Sequence, residues 1–212
     1  PFAITYGTRS PATNPCCSPR SLLIRIARFT CAAIALYSWG DRDSFLDMVS
    51  AIAKQFPPNN AVFAWDYDWR PQWRVDLVPS YKLHRVEIAA EDSEVSEVVP
   101  DALSPQISAI ALVLDAIGLP RIGQVGHEAD DVLGALVARA GGPCDVVTGD
   151  RDLFQLVSDV DDVRVISITK GVKNLEVVDD SYLVGRYGIN GAQYADYSTL
   201  RGDPSDGLPG VK

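Results

Sequence analysis

Two short apolar runs, AVFAW at 61–65 and DVVTG at 145–149, are each followed at once by aspartates, and segments of helical period lie between them. Runs this short and this apolar read as buried strands, and strands that alternate with helices specify a mostly parallel sheet covered on both faces. Helices are expected at SFLDMVSAIAKQF, where Phe45, Met48, Val49 and Ile52 share one face and Pro57-Pro58 stops the chain, and at SPQISAIALVLDAIGL, capped near Ser104 and ended by Gly118-Leu119-Pro120. EADDVLGALVARA, DLFQLV and SYLVGRYG read as further helices, and VRVISI and LEVV as short strands. Fold class is therefore α/β. Residues 66–100 do not fit the alternation; they form a long, irregular or partly helical excursion, basic and aromatic at first and acidic later, and long connections of this kind are often functional.

At 212 residues and 47% hydrophobic composition, the part that carries this pattern is large enough for one sizeable core. Residues 1–43 are different. The first twenty hold four prolines and no apolar period, and the segment reads as irregular or aberrant, so the chain divides into 1–43 and a domain at 44–212. Residues 22–39 are apolar enough to raise a membrane span or signal peptide, but Arg25 and Arg28 interrupt them, and no membrane association is expected. Cys16, Cys17, Cys31 and Cys144 form no Cys-x-x-Cys pair and read as free thiols of a reducing, cytoplasmic compartment. With only His84 and His127, both read as surface residues, a histidine-rich metal centre or a Ser-His-Asp triad has little to draw on.

Three acidic groups fall where a parallel sheet places its ligands, by the carboxyl ends of the strands, and a fourth pair lies in a turn. Asp66 and Asp68 follow the first run; Asp150 and Asp152 follow the second; Glu128, Asp130 and Asp131 open the helix before that second strand; Asp203 and Asp206 lie in the turn RGDPSDGLPG. Each group alone has an ordinary explanation, as a helix N-terminus or a turn. Together they supply what hard divalent cations require: carboxylates from several elements, able to hold two ions roughly 3.5–4 Å apart for in-line attack on a phosphodiester. A net charge of −9 argues against nucleic acid at first sight. Two divalent ions would offset about half the charge of eight gathered carboxylates, which weakens that objection.

GHEADDVLGALVARA, VVTGDRDLFQLV, LRGDPSDGLPGVK and FAWDYDWRPQWRVDLVPSYKLHR, in their order, resemble the bacterial 5′–3′ exonuclease and flap-endonuclease family, which includes the nuclease domain joined to DNA polymerase I and its stand-alone relatives. The resemblance spans about residues 44–212. It implies a PIN-like fold with an arch-like excursion, and a monomer that uses Mg²⁺ or Mn²⁺, two ions, to cleave flapped, nicked or gapped DNA, with a DNA polymerase as a possible partner. It further implies metal-binding roles for Asp66, Glu128, Asp130, Asp131, Asp150, Asp152, Asp203 and Asp206, with Asp68 the weaker member of its pair. The Tyr-Lys-x-x-Arg stretch would contact substrate through Tyr81, Lys82 and Arg85, with Lys82 and Arg85 stabilising the scissile phosphate and Tyr81 stacking on a base. Arg70 and Arg74 are further candidates for DNA contact, while Trp69 and Trp73 fit packing equally well.

The sequence departs from the family in two places. The family opens with an apolar strand ending in Asp-Gly, which gives one more metal ligand, and nothing in residues 1–43 reproduces it. The sequence also stops at GVK, where the family continues into a helix–turn–helix element that grips duplex DNA; the chain is therefore expected to be a fragment. Two other functions remain open: an impaired fragment that binds branched DNA without cutting it, and a phosphatase of the haloacid dehalogenase type with Asp66 as nucleophile. The phosphatase reading leaves Glu128, Asp130, Asp131 and the GDPSDG turn without a role.

Overall fold

The computed structural model describes residues 24–28, 45–88, 95–97 and 104–211, with the backbone alone for a few of them. Its frame is a six-stranded sheet. In chain order the elements are β1 (Ile24–Arg28), α1 (Phe45–Gln55), β2 (Asn60–Trp65), α2 (Gln72–Leu77), β3 (Val86–Ile88), β4 (Val95–Glu97), α3 (Ser104–Ile117), β5 (Arg121–Gly123), α4 (Ala129–Ala140), β6 (Cys144–Thr148), β7 (Val163–Ser167), β8 (Glu176–Val178), α5 (Asp180–Tyr187) and α6 (Tyr194–Arg201). The strand order is β5-β2-β1-β6-β7-β8, parallel except for β8, which runs antiparallel along β7; β3 and β4 form a separate hairpin inside the excursion.

Alternation along the strands builds a core on each face of the sheet. Val146 and Val165, which are register partners, join one cluster with Val132 and Leu133 of α4, Phe154, Leu183 and Tyr194. Their neighbours Val147 and Ile166 point the other way, into a cluster with Phe45, Met48 and Ile52 of α1, Phe63 and Leu114. The helical face expected for α1 is the one that is buried. DLFQLV forms a 3₁₀ turn over Arg151–Leu156 instead of an α-helix; Asp150 caps it by accepting from the Asp152 amide at 2.9 Å, and the segment is too short to need more.

One element departs from the reading of residues 1–43 as irregular. Within that segment, Ile24–Arg28 is the strand between β2 and β6. Central parallel strands are usually near-continuous apolar runs, and two arginines in five residues hide this one. The remainder of 1–43, with Cys16, Cys17, Cys31, Asp41 and Asp43, lies outside the described residues. No helix among the described residues is long and apolar enough to cross a membrane.

The register also levels the acidic loops. Ala27 of β1 pairs with Phe63 on one side and Val147 on the other. Asp66 and Asp150 each lie three residues beyond those partners, at the same height on the same sheet edge. With β1 between them, their backbones are separated by two strand spacings, roughly 9–10 Å.

Candidate metal centre

The acidic residues divide into two groups with different electrostatics. Asp150 and Asp152 stand at the end of β6, and Asp203 and Asp206 in the turn after α6. The pairs lie close enough to affect one another: burial pushes the Asp152 carboxyl up to about 6, and the charges of Asp150, Asp203 and Asp206 push the same way, with Arg201 opposing. Burial acts on Asp203 as well, but the hydroxyl and amide of Ser205, with help from Arg201, hold it below the usual carboxylate range. Its Oδ1 accepts from the Ser205 amide at 2.7 Å. The four carboxylates, brought near one another from two distant segments, are oxygen donors of the kind that hard divalent cations take.

The second group is already balanced by protein cations. Glu128, 3% exposed, is the N-cap of α4. Its Oε1 accepts from the Tyr81 hydroxyl at 2.7 Å, and its Oε2 from the Lys82 ammonium at 2.7 Å. Arg74 Nη1 approaches Oε1 at 3.5 Å, and the same guanidinium grips Asp131 through two bonds of 2.9 and 2.8 Å. Burial opposes ionisation of Asp131, and Arg74 overcomes it, holding that carboxyl below its ordinary range. The Asp131 carboxylate also accepts from the Glu128 amide at 3.0 Å, which closes the first turn of α4. Asp66 reaches the same turn, where its carboxylate accepts from the amide of Ala129.

Turn geometry brings the basic stretch to these carboxylates. Lys82 adopts a left-handed backbone, φ 49°, and its amide donates to the Asp206 carbonyl at 3.0 Å. Gly207 makes that approach possible: at φ +76° it lies so near Ser80 that a Cβ would stand 2.4 Å from the Ser80 carbonyl oxygen. Arg85 donates to the Ser205 carbonyl at 2.9 Å and to Asp206 at 3.3 Å. Arg70 donates to the carbonyls of Tyr81 and Pro79, at 2.7 and 3.4 Å, and so braces this loop.

Both acidic groups open onto one cleft of about 660 Å³, whose walls include Glu128, Asp130, Asp131, Asp152 and Asp206, with Trp73 at its rim. Asp66, Asp150 and Asp203 are not among the residues that line it. Among the described residues, no three acidic, histidine or cysteine side chains converge tightly enough to grip one ion as they stand. Like charges spread, and β1 holds Asp66 and Asp150 apart. Tyr81, 7% exposed, and Lys82, 6% exposed, are buried against Glu128 and so leave no ring face or free ammonium at the surface. Sequence reasoning missed Arg201, the cation beside Asp152 and Asp203; its position next to GDPSDG was the available signal.

A sequence profile described as "5′-3′ exonuclease, N-terminal resolvase-like domain" matches residues 40–188. A 5′-3′ exonuclease of Streptomyces coelicolor is 54% identical over 166 residues, which are 78% of this chain and 55% of that protein. A 5′-3′ exonuclease of Mycobacterium tuberculosis is 45% identical, over 79% of this chain and 55% of its own length. The chain thus spans about half the length of the curated relatives it matches. DNA polymerase I of M. tuberculosis is 36% identical over 79% of this chain and 17% of the polymerase. Among solved structures, bacteriophage T5 5′-exonuclease with bound divalent metal ions (zinc) superposes with a TM-score of 0.69 at 20% identity, covering 89% of this chain and 70% of that one. At that identity the likeness establishes the fold.

Proposed function

The chain belongs to the bacterial 5′–3′ exonuclease family, and from that membership we propose that it is the catalytic portion of a divalent-metal-dependent nuclease that hydrolyses DNA phosphodiesters at 5′ ends and 5′ flaps. The observation that carries the proposal is the gathering of Asp150 and Asp152 with Asp203 and Asp206, some fifty residues apart in sequence, near enough that three neighbouring charges add to the upward push that burial gives the Asp152 carboxyl. Four half-buried carboxylates near one another carry more negative charge than Arg201 and Arg85, the cations beside them, offset, which leaves charge for a bound cation to balance.

Asp150, Asp152, Asp203 and Asp206 would hold the cations, Mg²⁺ or Mn²⁺. Bound there, such ions supply Lewis acidity and lower the pKa of a water for attack on phosphorus. Glu128, Asp130, Asp131 and Asp66 act behind them: Glu128 and Asp131 spend their charge on Lys82 and Arg74, which fixes the first turn of α4 and the wall of the cleft. Arg85 is the cation best placed to meet a phosphate, because its guanidinium is only half-buried and sits on the rim carboxylate Asp206. Lys82 and Tyr81 orient Glu128. Arg70 supports the loop that carries them. Nicked, gapped and flapped duplexes are the proposed substrates, on the way to DNA replication and repair, and the matching part of DNA polymerase I makes a polymerase a fitting neighbour in that work.

The test is release of short products from a 5′-flap duplex labelled at its 5′ end, in Mg²⁺ or Mn²⁺. The expected result is cation-dependent cleavage that Asp150→Ala abolishes; no cleavage above an Asp150→Ala control refutes the proposal for this chain. One observation favours a second reading, a fragment that binds branched DNA without cutting it. The strand between the two aspartate-bearing strands is followed by Phe29-Thr30-Cys31, with no carboxylate at that point. Flap binding by gel shift without product supports that reading.

A further inference from the structure

Tyr194, the first residue of α6, carries a hydroxyl that core packing does not explain. The residue is 0% exposed, and its Oη has no hydrogen-bond partner among the described residues. Three aromatic rings cage it: Phe154 with centroids 5.4 Å apart, Tyr197 at 5.7 Å and Tyr187 at 5.8 Å. Phenylalanine would fill that cage without burying a polar atom, so the oxygen calls for an occupant beside it. Phe154 shows where to look. It belongs to the 3₁₀ turn Arg151–Leu156, against which α6 packs, and Asp152 stands two residues earlier in the same turn. The Asp152 amide donates to Asp150 and its carbonyl accepts from Gln155, but among the described residues no donor reaches its carboxylate. The two groups do sense each other: burial pushes the Tyr194 hydroxyl up to about 12, Tyr187 and Asp152 push the same way, and Arg201 and Arg151 oppose them. A phenol held there stays protonated at neutral pH and is a donor. A donor without an acceptor thus stands near an acceptor without a donor, and no direct bond joins them.

We propose that one buried water links the Tyr194 hydroxyl to the Asp152 carboxylate, and that Tyr194 is thereby a positioning residue that fixes the orientation of Asp152 toward a bound cation. The inference rests on the reading of Asp150, Asp152, Asp203 and Asp206 as the cation-binding centre. The water accepts from Tyr194 Oη and donates to Asp152. Buried waters ordinarily make about three hydrogen bonds. Ser198, one turn further along the same face of α6, has a buried Oγ that also lacks a partner among the described residues and offers the third. Water suits the position better than a cation does, because the charges of Arg201 and Arg151 both act on this hydroxyl. A carboxylate that holds a metal ion binds it best when a hydrogen bond from behind fixes which oxygen turns forward. At Asp152 that bond has no other source among the described residues.

The test is calorimetric titration of the whole 212-residue chain with Mn²⁺, for wild type, Tyr194→Phe and Tyr187→Phe, with melting in EDTA to follow the fold. Tyr194→Phe keeps the caged ring and removes one oxygen. It should weaken Mn²⁺ binding about tenfold, the low end of the range for a partner behind a metal ligand, while Tm in EDTA stays within about 4 °C of wild type. Tyr187→Phe removes a hydroxyl of the same cluster, one that accepts from Arg186 at 3.3 Å, and should bind Mn²⁺ as wild type does. Unchanged Mn²⁺ binding in Tyr194→Phe overturns the proposal, and so does an equal loss in both variants, which would mark a general effect of loosening the cluster. A crystal structure of the wild-type chain gives a check that needs no variant to fold. It should show one ordered water within about 3.2 Å of both Tyr194 Oη and an Asp152 oxygen; a Tyr194 hydroxyl without that water overturns the link. If wild type binds Mn²⁺ and Tyr194→Phe binds it equally, the cation-binding centre stands and the positioning role alone falls; if a folded wild-type chain binds no Mn²⁺, both fall.

Discussion

Replacing Glu128 with alanine should unfold this domain more readily than any other single change in the basic loop or the acidic turns. The side chain is almost wholly buried; it accepts from the Tyr81 hydroxyl and Lys82 ammonium at 2.7 Å and from the Asp131 amide, and pairs with Arg74 at 3.5 Å. Alanine leaves the Lys82 ammonium buried with only the Trp69 carbonyl, at 3.3 Å, as partner. Removing one member of a buried pair costs about 3–5 kcal/mol. For a domain of this size each kcal/mol lowers Tm by about 2–4 °C, so a fall of about 6–20 °C is expected. Lys82→Met should cost less, about 1–3 kcal/mol, because Glu128 keeps Tyr81 and Arg74. The double variant Glu128→Leu/Lys82→Met should regain most of the loss, since apolar residues of similar volume replace a buried pair with little penalty. Thermal unfolding followed by circular dichroism at pH 7.5 in EDTA measures all three. A Glu128→Ala chain that melts within about 2 °C of wild type, or a Lys82→Met chain that melts below it, refutes the reasoning.

Further expectations concern the acidic turn and the loop around it. The Asp152 carboxyl, raised to about 6 from the ordinary value near 4, holds its proton more tightly in the folded than in the unfolded chain. Its ionisation therefore subtracts stability as pH rises from about 4 to 6, and the full penalty, about 1–2 kcal/mol after solvent screening, persists above that. Asp152→Asn should raise Tm at pH 7.5 in EDTA and leave it nearly unchanged at pH 4; equal shifts at the two pH values contradict this. Gly207→Ala, placing a Cβ 2.4 Å from the Ser80 carbonyl oxygen in a left-handed turn, should cost about 1–3 kcal/mol and lower flap cleavage at saturating cation. Arg74→Lys should destabilise by about 1–2 kcal/mol despite keeping the charge, because lysine cannot make both bonds to Asp131; an unchanged melt argues that the pair is inert.

What could be read from the sequence follows from which signals are local. β2 and β6 were legible because each is a compact apolar run ending on aspartate, and α1 and α4 because their apolar spacing is helical. β5 is three residues long and β1 carries two arginines, so neither stands out although both sit in the sheet. The carboxylate positions were legible one by one. Their division into two groups was not, because it depends on contacts between residues far apart in sequence: Lys82 meets Glu128 across 46 positions, and Arg74 meets Asp131 across 57. The same distance hid the orientation of Tyr81, whose ring reads in sequence as a base contact and is buried against Glu128 in the fold. Trp73, which fitted packing equally well from sequence alone, is exposed in the fold and lines the cleft.

The most direct measurement is calorimetric titration of the chain with Mn²⁺ at pH 7.5, for wild type and for Asp152→Asn/Asp206→Asn. The account predicts saturable binding to wild type, accompanied by a rise in Tm, and loss of that binding by at least tenfold in the double variant, whose own Tm in EDTA is no lower than wild type. Undiminished Mn²⁺ binding to the double variant, or none to a folded wild-type chain, contradicts the assignment of Asp150, Asp152, Asp203 and Asp206 as the cation-binding centre.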